Sequence, residues 1–530
     1  METTPQNPAA CDPYARAHAL FGELILWLGE GAHGSDHAAI ETGLRSRGDE
    51  LLRASYQGHL DERCEREREA LRADPPADTE VRTRTRVLET VFGRVRVRRA
   101  TLLPRRQRPR SSTTPQGRPG RRPRSAPRGT SMPADARLSL PRETYSAPLR
   151  EQVALDVIGA SYERAAEQTE RATSGRVPHR QQIELVTQVA QDVDAFYATR
   201  PKADDDTLSA AALEVMSADG KGVRMRPEGL REDTRKLAEQ EAQRAGKGDP
   251  MAQRRARNHD RRMAVVTANW EQEPRVRTPQ DILRDLTAPK TGRPRRIERN
   301  PSPRKDLPRP QNKRVRASIE QDQKARIEEM FAESERRDPA HERKWVVLVD
   351  GSESQLAQVR ARADLMGVWV TIIVDVIHVL HYLWVLSQWL SAANDGAREW
   401  WVREHLMRLM TRPATFVIAG IRQSATLLGL QGDARKTVDD AVGYLEKNAS
   451  YLDYGTYLSA GMPIATGVIE GACRYLVQDR MGITGACWGL GGGEAVLKLR
   501  SVWSSGDWDA FWRFHLRAEH DRAYPSPKAA

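Results

Sequence analysis

The sequence predicts an α/β core in which strands and helices follow one another as βββαβαβα, interrupted by an all-helical insertion and preceded by a mainly helical N-terminal region. Three observations carry that expectation. Short apolar runs at residues 213–218, 345–349 and 368–374, the last two β-branched, are each followed at once by an aspartate: Asp219, Asp350 or Asp375. Helix-length segments separate the later runs. Residues 394–457, rich in Trp400, Trp401, Leu406, Met407 and Leu409, carry helical spacing with no strand signal. At 530 residues the chain is long enough for several domains.

Residues 1–80 form a helical N-terminal region, since from Tyr14 to about Ala73 apolar residues such as Leu20, Leu24, Trp27 and Leu28 fall at helical spacing before a strongly charged stretch. In residues 81–140, β-branched residues alternate with arginines around Gly93, as in a hairpin with one solvated face. Between Arg94 and Arg128 stand thirteen arginines and no acid, mixed with Pro, Gly, Ser and Thr, which reads as a flexible basic segment. Residues 141–201 form a helix-turn-helix-like DNA-binding region, with a turn at Ser174-Gly175 and a second helix opened by Pro178. That helix would present His179, Arg180, Gln181 and Gln182 to a major groove, where amides and guanidinium groups pair with base edges. A plain helical hairpin is the alternative.

The core opens at residue 202 and its first part runs to 393. Its first strand, 213–218, ends at Asp219, and Gly220 and Gly222 are expected to turn the chain into a short second strand at 223–226. A charged helix leads to a third strand at 262–269, and a basic, Pro-rich insert occupies 290–316. Then come a helix at 317–337, the fourth strand at 345–349, a helix at 354–366, the fifth strand at 368–374 and a helix from Val376. This is the order of a ribonuclease H-like sheet, in which strands one and four adjoin, so Asp219 and Asp350 would meet. Residues 458–524 supply closing helices that carry Glu470, and 525–530 are a tail. The apolar stretch 366–390 invites a membrane span, but Asp375, His378 and His381 would lie near its middle, and a strand running into a buried helix is expected instead.

The 84 Lys and Arg outnumber 72 acids, a net charge of +12 that favours a polyanionic partner without choosing between DNA, RNA and membrane. The four cysteines, Cys11, Cys64, Cys473 and Cys487, form no CxxC pair, which argues against a disulfide framework or zinc ribbon. His378 and His381 beside Asp375 lack a fourth zinc ligand, and packed or hydrogen-bonded histidines are expected. The first fourteen residues are polar, so an intracellular, cytoplasmic protein is expected.

Clustered carboxylates on adjacent strand ends and a following helix suit a pair of hard cations about 3.5–4 Å apart, such as Mg²⁺ with Mn²⁺ as a substitute. Asp219-Gly220 and Asp350-Gly351 also read as ordinary turns. Position raises them, because each ends a strand that the element order makes central. Glu470 stands on a small, apolar helix start, where an unpaired carboxylate would be costly to bury. Arg474, Arg480 and Lys498 fall on its side and could contact phosphates, and Trp488 reads as core rather than as a base-stacking platform.

The phrase GMPIATGVIEGACRYLVQDRMGITGACWGL, followed by EAVLKLRSVWSSGDWDAFW, resembles the C-terminal signature of the ISKra family of bacterial insertion-sequence transposases. SADGKGVRMRPEGLRE, RRMAVVTANWE, FAESERRDP, WVVLVDGSESQL, VDVIHVLHYLW and PADARLSLPRETYS sit in the same order, so the similarity runs from about residue 80 to 524. The resemblance implies a DDE transposase that cuts at the inverted-repeat ends of a mobile element and joins the freed 3′-ends to target DNA. It implies two Mg²⁺ ions, double-stranded DNA as partner, a homo-oligomer on that DNA, and a bacterial, nucleoid-associated setting. Asp219 and Glu470 carry over as first and third acids. Asp350 is the second by strand order, with Asp375 competing. His381, Cys487 and the triple glycine Gly491–Gly493 depart from the family pattern. They leave open a decayed copy that only binds DNA, and a nuclease without strand transfer is the remaining alternative.

Overall fold

The computed structural model describes residues 12–74, 76–104, 131–201, 212–244, 260–287, 309–465, 467–483 and 485–525. Contacts divide the chain into two compact units, Met1–Asp192 joined by Asp509–Ala530, and Val193–Trp508.

In the first unit, the helical order expected from Tyr14 to about Ala73 is present and is divided between two helices. Ala15–Leu26 continues into a π-helical turn, Trp27–Gly31, and His37–Ala73 starts afresh. The restart is set by Asp36, whose carboxylate accepts the Ala39 amide at 2.8 Å and caps the new helix. Strands β1 (Thr79–Thr90) and β2 (Gly93–Pro104) form an antiparallel hairpin in unbroken register, closed by Val91 and Phe92. Gly93 takes φ +96°, which a side chain would oppose. Alternation sorts the hairpin's faces: Leu88, Val95 and Val97 bury against Leu60 and Leu140, while Arg94 and Arg96 are exposed. Most of the expected basic segment, residues 105–130, lies outside the described residues.

Three helices follow, Ala147–Gly159, Tyr162–Ala172 and His179–Ala190, packed on one another. The unit is completed by most of the helix Trp508–Ala523, which the sequence pattern placed in the core. Buried charge explains the difference. Arg150, only 2% exposed, is gripped by both oxygens of Glu519 at 2.6 Å, and Asp192 accepts from Arg522 at 2.6 and 2.8 Å and bonds His515 at 2.7 Å. The boundary therefore falls at Asp192 rather than after residue 201.

The second unit is built on a five-stranded sheet ordered β5-β4-β3-β6-β7, with β3 at Leu213–Arg224, β4 at Arg261–Gln272, β5 at Gln311–Ser318, β6 at Trp345–Val349 and β7 at Val370–Val374. β4 is antiparallel to both neighbours, and β3, β6 and β7 are parallel. Two expectations are corrected here. Gly220 and Gly222 do not turn the chain: β3 runs straight through them, pairing Gly220 with Val265 and Gly222 with Met263. The glycines instead leave room for neighbours, since a Cβ on Gly220 would lie 2.9 Å from the Met263 methyl. The strand expected third is therefore β4, the second. The third is β5, whose alternating Arg314, Val315 and Arg316 were hidden in a run that read as basic insert and whose Ala317 and Ser318 read as the start of a helix that begins only at Gln323.

The outer edge of β5 is closed by side chains from the helix Leu490–Ser504 and its C-cap. Glu494 accepts from Ser318 and the Ile319 amide, Ser501 from the Ala317 amide and Ser505 from the Val315 amide, all at 2.8–3.1 Å. This removes a free strand edge. Of the three glycines that open this helix, Gly493 has a packing reason, because a Cβ there would come within 2.8 Å of buried Ile319.

All five residues of β6 are buried, and the helix Gln323–Arg337 packs on β3 and β4. After β7 the helix Val376–Leu390 supports the inserted helices Asp395–Thr411, Ala414–Leu427, Gly432–Lys447 and Tyr454–Ser459. No helix among the described residues is long and apolar enough to cross a membrane.

Candidate active site at the end of the central strands

β3 and β6 run side by side and in register, from Glu214 opposite Trp345 to Ser217 opposite Leu348. Asp219 and Asp350 each stand two residues beyond that last pair, so the same end of the sheet carries both. The ladder stops there and a side chain takes over. Gln355, buried in the helix Glu353–Met366, donates to the Ala218 carbonyl at 2.8 Å and accepts the Asp350 amide at 3.4 Å. It ties the two strands together just past their ladder, where backbone bonds no longer can.

Asp350-Gly351 is both a turn and a site. Asp350 Oδ1 accepts the Ser352 amide at 2.8 Å, Gly351 takes φ +83°, and the Tyr444 hydroxyl donates to the Asp350 carbonyl at 2.6 Å. A Cβ on Gly351 would meet the Tyr444 oxygen at 2.7 Å. Burial pushes the Tyr444 hydroxyl's pKa well up, with Tyr382, Asp350 and Asp375 adding to the effect, so it remains a donor at neutral pH.

Asp219 is partly buried, with Oδ1 on its neighbour's amide, Gly220, at 2.6 Å and Oδ2 receiving the Cys473 thiol at 3.4 Å. Burial first, then the Asp219 charge, drives the Cys473 pKa upward, which keeps it a protonated donor. This contact brings in the third acid. Glu470 lies three residues before Cys473, in the helix Gly467–Ala472 that runs on into a π-helical stretch, Cys473–Gln478, and both segments pack on β3. Glu470 is exposed, so the cost of burying a lone carboxylate does not mark it out. None of Asp219, Asp350 and Glu470 forms an ion pair among the described residues. These residues also hold no group of three or more His, Cys, Asp or Glu side chains gathered for one ion.

Asp375 sits apart in role. It is 4% exposed and caps the helix Val376–Leu390, accepting the Ile377 amide at 2.7 Å while its own amide extends the β6–β7 ladder to the Val349 carbonyl. His378 and His381 are exposed, not packed as expected. Cys64, Cys473 and Cys487 are free thiols.

The expected DNA contacts divide. Arg180 is exposed, 3.6 Å from Glu184; Gln181 donates to Glu184; and the exposed His179 sets its ring edge-on to Tyr162. Gln182 is corrected: it is fully buried and donates to the Val177 carbonyl, holding the turn to its helix rather than reaching a groove. Arg480 is also corrected, being 2% exposed and stacked 4.7 Å from the Trp488 ring centre. Trp488 is core, with its indole N–H on the Met481 carbonyl and its backbone bonded to Arg224 and Arg226. Arg474 is exposed, with Asp479 at 3.7 Å, and Lys498 is taken by Asp194 at 2.7 Å.

Gln355, Tyr444, Cys473 and the π-helical stretch were not singled out by sequence. The first three gave no pattern. A π insertion leaves no composition signal, although such insertions often sit at functional sites. Compared with known protein families and with curated proteins, the chain matches none.

Proposed function

We propose that this protein is a DNA transposase of the DDE class, with Asp219, Asp350 and Glu470 as its metal-binding acids. One observation carries the reading: two aspartates without an ion pair among the described residues stand just past the end of the parallel β3–β6 ladder, and the Cys473 contact joins to Asp219 the helix that bears Glu470. The sheet order β5-β4-β3-β6-β7, with one antiparallel strand beside the first, supports a ribonuclease H-like core. The motif resemblance supports the transposase assignment over a nuclease of the same fold.

The donor set suits Mg²⁺, being carboxylate oxygens that no Arg or Lys neutralises among the described residues, beside a thiol held protonated. When bound, the ions would supply charge neutralisation on the attacking and leaving oxygens of a phosphodiester. The chain's own part is to fix the acids. Gln355 holds β3 and β6 together just past their ladder, Tyr444 fixes the Asp350 loop, and Cys473 orients Asp219. A water or a DNA 3′-hydroxyl would attack phosphorus, with the bridging O3′ leaving. Double-stranded element ends and target DNA are the proposed partners, bound by a homo-oligomer.

The test is Glu470→Gln, which removes one anionic ligand at nearly constant shape. DNA binding should stay within a few-fold of wild type while Mg²⁺-dependent cleavage disappears; unchanged cleavage would sink the assignment. A second reading, a decayed copy that binds DNA without cutting, is favoured by His381, Cys487 and Gly491–Gly493, which depart from the family pattern. Wild-type cleavage of end DNA rejects it.

A further inference from the structure

A cleft of about 620 Å³ opens beside the Glu470 helix, lined by Arg275, Arg277, Arg309 and Lys313 and by no acid among the described residues. Four cations line one hollow whose wall holds no acid among the described residues, which marks a place for an anion. Arg275, Arg309 and Lys313 take part in no ion pair among the described residues. Tyr475 supplies aromatic surface, with Lys313 Nζ 4.9 Å from its ring centre, while Trp270, 1% exposed, backs the wall from inside. The Tyr475 hydroxyl is buried and has no hydrogen-bond partner among the described residues.

The wall is built in advance. The Arg275 amide donates to the Gly461 carbonyl at 2.9 Å, the Arg277 amide to Leu458 at 3.2 Å and the Arg277 guanidinium to Met462 at 3.0 Å. Gly461 takes φ +75°, and a Cβ there would sit 2.7 Å from the Arg275 nitrogen, so only glycine allows so close a seam. Two arginines on an otherwise exposed segment are thus held in fixed places. Gly467 and Val468, the first residues of the helix that carries Glu470, form another part of the lining.

We propose that this cleft binds the backbone of a single DNA strand, the cations taking successive phosphates and the aromatic surface flanking a base or sugar. Cations beside an aromatic ring are the usual equipment of single-strand grooves. A ring in the wall favours a single strand, whose bases are free to leave their stack, over a duplex, whose bases are held within it. The binding stands whether or not the acids cut. Because the helix that carries Glu470 lines the cleft, a bound strand would be led towards that acid, and this part alone rests on the function proposed above.

The test is Arg275→Gln combined with Lys313→Gln, alongside Arg275→Lys combined with Lys313→Arg, in the full chain, with thermal unfolding and circular dichroism as fold controls. The probes are labelled oligothymidylate, RNA of equal length and a duplex of equal length, titrated over a range of salt. For the glutamine pair, oligothymidylate affinity should fall about tenfold and its log–log salt slope by about 1.4, at about 0.7 per phosphate on a single strand. Duplex binding should stay within twofold, and the charge-retaining pair should bind as wild type. An unchanged single-strand slope, an equal loss on duplex, or tighter wild-type binding of RNA than of DNA overturns the proposal. Glu470→Gln separates the two ideas. Should it keep cutting while the glutamine pair loses strand binding, the function proposal fails and the cleft stands. A dead Glu470→Gln beside a glutamine pair that binds normally would sink the cleft and leave the function proposal standing.

Discussion

The two ends of the β3–β6 ladder treat acids in opposite ways. At its start, Glu214 is fully buried, accepts the Ser334 hydroxyl at 2.6 Å, and has Arg337 at 4.0 Å and Glu271 opposite in the register. Burial above all pushes its pKa up to about 7, against the pull of Arg337 and Ser334. Close by, burial would raise Glu333 as well, but Arg337, Arg314 and Arg200 outweigh it and hold it at about 2. At the other end Asp219 meets an amide and a thiol, and Asp350 an amide. One end spends its carboxylates on the interior. The other leaves them without cations, which a structural role does not require.

The sharpest way to break this contrast is to neutralise each end in turn. Asp219→Asn or Asp350→Asn should lower Mg²⁺-dependent single-turnover cleavage about a thousandfold or more, equivalent to about 4 kcal/mol. Stability should change by about 0.5 kcal/mol or less, since no ion pair is lost. Glu214→Gln should do the reverse and leave cleavage standing. A Glu214 variant that is inactive though folded, beside an active Asp219→Asn, would invert the assignment.

The buried end also predicts a pH signature. Because folding raises the Glu214 pKa, the folded state holds its proton more tightly, so stability falls as pH rises from about 4.5 through about 7. The cost approaches about 3 kcal/mol above that window, at about 1.4 kcal/mol per pKa unit. Glu333 works the other way, its stabilisation being complete above about 4.5 and lost as pH falls towards about 2. Chemical denaturation between pH 5 and 8 should show Glu214→Gln gaining on wild type as pH rises. A constant difference would mean Glu214 is ionised throughout.

At the open end, Gly351→Ala should cost about 2 kcal/mol, from its positive φ and from the Tyr444 and Asn448 atoms it would strike. Cleavage should fall with it, as the Asp350 loop moves. The smallest effect is expected at Asp375→Asn, because asparagine caps a helix about as well as aspartate, within about 0.5 kcal/mol. It should retain measurable cleavage, and a dead but stable Asp375→Asn would make Asp375 the second metal ligand.

β6 and β7 were legible because they are short, β-branched and run into acids: β6 lies at residues 345–349 as read, and β7 starts only two residues late. Where reading failed, two forces competed for one residue type. Gly220 and Gly222 looked like a turn but serve close packing within a long strand. Arg314 and Arg316 looked like a basic insert but alternate with buried Val315 and Ala317 on a strand whose outer edge is closed from residues 494–505. Gln182 and Arg480 have the chemistry of nucleic-acid readers and the burial of packing residues, a distinction only tertiary contacts make.

The grip of Arg150 on Glu519 and of Asp192 on Arg522 has a consequence for the order of events during synthesis. Roughly 300 residues separate Asp192 from Asp509, so at about 5–20 residues per second the N-terminal unit waits on the order of 15–60 s for the helix that completes it. The intervening unit closes little sooner, since the helix Leu490–Ser504 that covers the edge of β5 is made only just before. Until then Asp192 lacks Arg522, and Arg150 has only Glu143, 4.0 Å away, so neither unit takes its final packing before the last helices are made.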